Sequence, residues 1–320
     1  HTSLHNAIGN HDEIAIKFLA ERYDPSKDSE QILRFLSWVE IHKSRPLLEL
    51  LLDVARSGDL SLGDDELWIW FGDLTQHKPS WMTELLNACL ESILKSKNDT
   101  GITVFRYHND GFNANIEQLV KSEPKLFLEK IIPYLLDAIR KIEKESISYE
   151  TQLSKAYLNF LFPSNEGTAD VGMALYNGTA HALAKLASTR PEEIEPLLHK
   201  LADDKHVSVQ ALLFHAFKAN PEYFADWAAE LILENHGRLQ CGDASVANLI
   251  FREVVQVIAP HVSSKLYELL EDKFCDLHVA YEKESYKAWY RAVRGKRSYK
   301  DKLLPGRTAF KFLSALDCGR

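Results

Sequence analysis

Long apolar runs are missing from this chain. Nowhere in its 320 residues do eighteen apolar side chains follow one another, so no membrane-spanning helix is expected. His1 to Asn10 has neither a charged n-region nor an apolar h-region, and no signal peptide is expected there. Cysteine is scarce: Cys89, Cys241, Cys275 and Cys318 lie too far apart for a disulfide framework, and reduced thiols in a cytoplasmic protein are the expectation. A basic surplus is also lacking. The formal charge of −8 argues against a generic polyanion binder, which neutralises phosphates with Lys and Arg. Finally, there is no Walker-type loop, dinucleotide fingerprint, nucleophile elbow or His-Glu-x-x-His helix. The sequence therefore offers no catalytic residue, cofactor or metal, and a non-enzymatic protein is expected.

What the chain does contain is a helical pattern written twice between Ala180 and Leu233, thirty positions apart. Leu183, Ala184, Leu186, Ala187, Ile194, Leu197, Leu198 and Leu201 recur as Leu213, Phe214, Ala216, Phe217, Phe224, Trp227, Ala228 and Leu231, and Pro191 recurs as Pro221. In the second half of each unit the apolar positions fall at i, i+3, i+4 and i+7, the stripe through which an α-helix buries one face. Proline suits the first turn of that helix, because its missing N–H has no intrahelical partner there. Each unit then reads as a helix, a polar corner and a second helix.

The same arrangement extends outward. Pro46, Pro79, Pro124 and Pro260 each precede an apolar-periodic stretch, and Met82, Leu85, Leu86 and Cys89 keep the offsets from Pro79 that Ile194, Leu197, Leu198 and Leu201 keep from Pro191. One further unit without proline is expected from Ser148 to Phe162. Pro133 predicts a bend or break in the helix that Pro124 opens. Between 97 and 115, two turn signals flank Ile102–Phe105, which predicts an inter-repeat loop or a small β-hairpin insert. At the start, Thr2-Ser3-Leu4-His5-Asn6-Ala7 resembles the opening of one ankyrin unit; no second copy follows, so it is read as a helical hairpin in the same stack.

Three departures from the regular pattern are the candidate contact sites. Asp64, Asp65 and Glu66 stand before Leu67-Trp68-Ile69-Trp70-Phe71, where carboxylates face the positive end of a helix dipole. Trp68 and Trp70 are two positions apart and cannot share one helical face, so one of them is expected at the surface. Tyr107 and His108 belong to the 97–115 insert. From Tyr281 to Lys311 there are ten Lys or Arg against three Asp or Glu, a net of +7 that leaves about −15 for the remainder. Lys287, Arg291 and Arg294, interleaved with Tyr286, Trp289 and Tyr290 and followed by Lys296 and Arg297, form a basic amphipathic helix. That helix suits an acidic protein or phosphates with aromatic stacking. Cys275, His278, Cys241 and His236 include zinc-ligand types, but they lack the two closely spaced pairs of a structural site. Asp203-Asp204, at the corner between the two central units, reads as a helix-initiating turn.

The helix, polar corner and proline-opened helix resemble HEAT- or armadillo-type repeats. HEAT units place Asp at the corner, as Asp203 and Asp204 stand here, and a basic residue further along the first helix, where this chain has Gln210. The resemblance implies an all-α fold, an α-solenoid of about seven helical hairpins over 1–280 with a basic helical extension over 281–320. It also implies recognition of a partner protein along a curved surface; nucleic-acid binding through the basic helix is the alternative. The chain begins at His1 and ends at Arg320 without a polar tail, and a segment of something larger is expected. It looks like the helical sensor or scaffold region of a large multidomain protein, such as a bacterial STAND-type antiviral ATPase.

Overall fold

The computed structural model describes residues 2–37, 39–60, 62, 65–95, 110–145, 171–204, 206–234, 238, 247–275 and 307–318. Among them every regular element is helical, and none is a strand. The helices are α1 (Thr2–Gly9), α2 (Glu13–Arg22), α3 (Ser29–Leu36), α4 (Arg45–Ser57), α5 (Asp65–His77), α6 (Pro79–Lys95), α7 (Asp110–Ser122), α8 (Pro124–Glu145), α9 (Val171–Thr189), α10 (Pro191–Ala202), α11 (Val207–Ala219), α12 (Pro221–Glu234), α13 (Ala247–Ile258), α14 (264–275) and α15 (Arg307–Cys318). A short 3-10 turn, Ile41–Lys43, precedes α4. Among the described residues no helix is long and apolar enough to cross a membrane. The insert expected around Ile102–Phe105 and the unit expected over Ser148–Phe162 lie outside the described residues, whereas 110–115 begins α7.

Proline marks a corner one residue long. Lys78, Glu123, Arg190 and Asn220 each stand alone between a helix and the proline that opens the next one. The helical region is sterically disfavoured for a residue before proline. Accordingly Arg190 adopts φ −148°, ψ 62° and Asn220 φ −145°, ψ 74°, the same kink in both copies of the repeat. The corner residue's carbonyl then accepts the first bond of the next helix, from Met82 to Lys78, Phe127 to Glu123 and Phe224 to Asn220. Asn220 adds side-chain bonds: Oδ1 accepts from the Tyr223 N–H at 3.3 Å, and Nδ2 donates to the Ala187 carbonyl at 3.0 Å.

The chain divides into two compact units, one over 1–149 and 155–183, the other over 150–154 and 184–320. In the first, α4 lies against α6 and α6 against α8, while α5 lies against α7. Helices that follow a corner thus pack on one another, as do helices that precede one. Met82, Leu85, Leu86 and Cys89 are fully buried in this layer. Arg45 on α4 grips Glu84 on α6 with both terminal nitrogens, at 3.1 and 2.7 Å, and its guanidinium lies 5.5 Å from the Trp81 ring centre. Gly178 on α9 sits where a Cβ would lie 2.4 Å from Ile116 Cγ2, so the backbone itself closes the contact with α7.

In the second unit α11 packs on α10, α12 and α13, and α13 packs on α15. The thirty-residue duplication is visible in burial: Leu183, Leu186, Ala187, Ile194, Leu198 and Leu201 are buried, and so are their counterparts Leu213, Ala216, Phe217, Phe224, Ala228 and Leu231. Leu197 and Trp227 are both half-buried. Phe274 and Phe312 stack at 5.3 Å and tie α14 to α15.

Two proline expectations change. Of the bend or break expected at Pro133, the break does not occur, since helix α8 continues through it. Pro133 and Glu129 both face solvent, so water can satisfy the carbonyl that proline leaves without a donor. Pro260 does not open a helix either: it lies in a turn, and α14 starts after Ser263. The Ser263 carbonyl accepts from Tyr267, and its own N–H donates to Asp226 Oδ1 at 2.7 Å. A serine anchored from both sides defines the helix start more strongly than a nearby proline.

Candidate functional site

Helix α5 carries the part of the expected contact patch that the structure describes. Leu67, Trp70, Phe71 and Leu74, spaced i, i+3, i+4 and i+7, are buried and form its core stripe. Trp70 is only 1% exposed, and its indole N–H donates to the Leu36 carbonyl at 3.2 Å, capping the end of α3. It is therefore a core residue of the first unit. Trp68 lies on the shoulder of the helix, half-buried, with its ring edge-on to Phe71 at 5.5 Å and to Phe112 of α7 at 5.0 Å. The residue the sequence reading passed over is Ile69, 48% exposed. Its signal was present: it falls outside the core stripe, on the face it shares with Asp73 and Gln76.

Asp65 is the first residue of α5, and Glu66 follows within its first turn. Asp64, Tyr107, His108, Tyr286, Lys287, Trp289, Tyr290, Arg291, Arg294, Lys296 and Arg297 lie outside the described residues. So do Cys241, His236 and His278, while Cys275 is an exposed free thiol.

The C-terminal end of the same face holds a cluster that the sequence reading did not find. Ile41, fully buried, anchors the Ile41–Lys43 turn, which packs on both α4 and α5. This sets His42 beside Asp73, thirty-one positions later. The His42 N–H donates to Asp73 Oδ2 at 3.2 Å, and His42 Nδ1 stands 2.6 Å from Asp73 Oδ1. One helical turn on, His77 Nδ1 is 3.0 Å from the Asp73 carbonyl and 3.3 Å from Asp73 Oδ1. The two imidazoles stack, with centres 4.1 Å apart and planes 15° from parallel. Side-chain exposure rises outward, from 14% at His42 through 19% at Asp73 to 43% at His77. Nearby, the Lys43 ammonium hydrogen-bonds Glu40 and holds its carboxyl below the usual glutamate range, with smaller contributions from the charges of His42 and His11.

In the second unit the expected helix-initiating role of Asp204 is redirected. Its carboxylate accepts from the His206 N–H at 3.0 Å and pairs with the His206 ring, one residue short of α11. The corner is instead held by Gln210, 1% exposed, whose amide donates to the carbonyls of Leu201 at 3.0 Å, Ala202 at 3.3 Å and Asp204. Arg238 completes the set. Its Nε donates to Gln210 Oε1 at 3.0 Å, Nη2 to Ala202 at 3.1 Å, and Nη1 to Leu231 at 2.7 Å and to Glu234 at 2.8 Å. One cation thereby caps the C-terminal ends of α10 and α12, where helix dipoles favour positive charge. Arg238 thus places a cation against Gln210, the position where the HEAT resemblance implied a basic residue.

Comparison of the chain with protein-family models, with curated proteins and with solved structures finds no match.

Proposed function

We propose that the chain is a HEAT-like α-solenoid without catalytic activity that recognises a partner protein, as the scaffold or sensor segment of a larger protein. The observation that carries this reading is the layering in the first unit, where α4, α6 and α8 follow one another and α5 packs on α7. Helical units that pack in succession on their neighbours are what a repeat array consists of. The one-residue proline corners and the duplicated burial pattern add to it. Such arrays present long surfaces, and helix α5 sets an uncovered isoleucine beside a half-buried tryptophan on one of them. Aromatic and aliphatic anchors of this kind are what protein interfaces favour over charge.

The test is affinity capture on the immobilised chain with cross-linking, comparing wild type with Ile69→Asp. The reading expects protein cross-linked to 65–77 in the wild type and at least ten-fold less with the variant. Capture of nucleic acid alone, or capture that Ile69→Asp leaves unchanged, overturns it. Salt-sensitive nucleic-acid capture that disappears on reversing Arg291 and Arg294 would favour the basic segment between 281 and 302 instead, consistent with its net positive charge.

A further inference from the structure

We propose that His42, Asp73 and His77 bind one divalent first-row transition ion of the imidazole-preferring kind, zinc being the natural probe. The three residues each bring a donor atom within 4.8 Å of the other two. Two imidazoles and one carboxylate are a ligand set that zinc and its neighbours accept, with water filling the remaining positions. Asp73 and His77 are four apart on α5 and therefore on one face, while His42 arrives from a separate turn, so the site exists only in the folded chain.

The surroundings support the ligands. Asp73 Oδ2 is held by the His42 backbone N–H, which fixes the carboxylate and leaves Oδ1 turned toward both rings. This is the outer-sphere orientation that metal-binding carboxylates usually have. Access is open on one side through the exposed His77, so an ion can enter without unfolding.

Binding changes the geometry in a defined way. With metal–ligand bonds of about 2.0–2.1 Å, tetrahedral donors stand roughly 3.3 Å apart. The 2.6 Å His42–Asp73 contact therefore opens, and if His42 binds through Nδ1 a proton on that nitrogen moves to Nε2 or to solvent. Parallel rings do not aim their lone pairs at one point, so His77, the exposed member, rotates out of the stack to complete the site. An ion so bound ties the Ile41–Lys43 turn to α5, at the end of the face that carries Ile69. This inference stands independently of the identity of any protein partner.

The experiment is calorimetric titration of the chelator-treated full chain with zinc chloride, paired with thermal denaturation. Saturable binding of one ion is expected, with a rise in melting temperature. His77→Ala, at the exposed position, should keep the circular dichroism spectrum and metal-free melting temperature of the wild type while weakening this binding at least ten-fold. Asp73→Asn should weaken it similarly. Absence of saturable one-to-one binding, or a His77→Ala titration that superimposes on the wild type, overturns the proposal. Ions that bind equally to both variants belong to other sites and leave the lost equivalent as the measure.

Discussion

Replacing Gln210 with Leu keeps the buried volume of the α10–α11 corner and removes its hydrogen bonding. The amide has two protons for three carbonyls, so its donation amounts to about two neutral bonds of roughly 1 kcal/mol each. Its oxygen also accepts from the Arg238 guanidinium, a bond to a charged group worth about 2 kcal/mol. Some of this is retained: Leu201 still accepts from the Asp204 N–H at 3.2 Å, and Ala202 from Arg238 Nη2. The Asp204 carbonyl and the Arg238 Nε–H are the groups left without these bonds. A net loss of about 3 kcal/mol in the second unit follows, and hydrogen exchange across 207–234 measures it locally, where a whole-chain melt would mix two units. Gln210→Lys should cost more than Leu, because it places an ammonium against the Arg238 guanidinium. A Gln210→Leu, Arg238→Met cycle should show coupling of at least about 1 kcal/mol. Exchange that slows or barely changes in Gln210→Leu, or strict additivity in the cycle, would refute the idea that these two side chains hold the corner as one network.

Two further perturbations address the first unit. Gly178→Ala gains helix propensity of about 1 kcal/mol but drives a Cβ against Ile116 Cγ2, and overpacking of about 1–3 kcal/mol should win, lowering hydrogen-exchange protection across 110–122; Ile116→Ala should then cost less in the Gly178→Ala chain than in the wild type. His11 combines φ +58° with two ring nitrogens that are buried and have no hydrogen-bond partner among the described residues, so His11→Asn, which tolerates this backbone and is smaller, should raise the urea midpoint by the equivalent of about 1 kcal/mol; a fall would show that the imidazole is held by packing.

The fold was legible where a local rule has no competitor. Pro79, Pro124, Pro191 and Pro221 each lie one residue beyond a finished helix, and the steric demand on the preceding residue suffices to place the corner. The rule failed where a second influence acted. At Pro260 a serine three residues later is anchored by Asp226 on α12, a contact between segments thirty-seven positions apart that no local window contains. At Pro133 the deciding influence is exposure: on the solvent side of α8 the lost backbone bond is replaced by water, and the helix continues. On α5 the spacing of Leu67, Trp70, Phe71 and Leu74 was there to be read as a core stripe that leaves Ile69 outside it, but attention went to the two tryptophans alone.

The side-chain constellations were legible only in halves. Asp73 and His77 announce themselves as an i, i+4 pair, but a carboxylate and an imidazole so spaced are common on any polar helix face. What distinguishes this pair is His42, and His42 is delivered by a three-residue turn whose position depends on Ile41 being buried between α4 and α5. Gln210 and Arg238 follow the same logic: the expected cation was sought on the first helix of the repeat, and the chain supplies it twenty-eight positions later, past the end of α12. The ends of α10 and α12 lie close enough for one guanidinium to reach the Ala202 and Leu231 carbonyls together. A cation beyond the second helix can therefore serve the corner of the first. The sequence pattern of a single repeat therefore understates which positions act together, and the unit to read in this chain is a pair of adjacent corners.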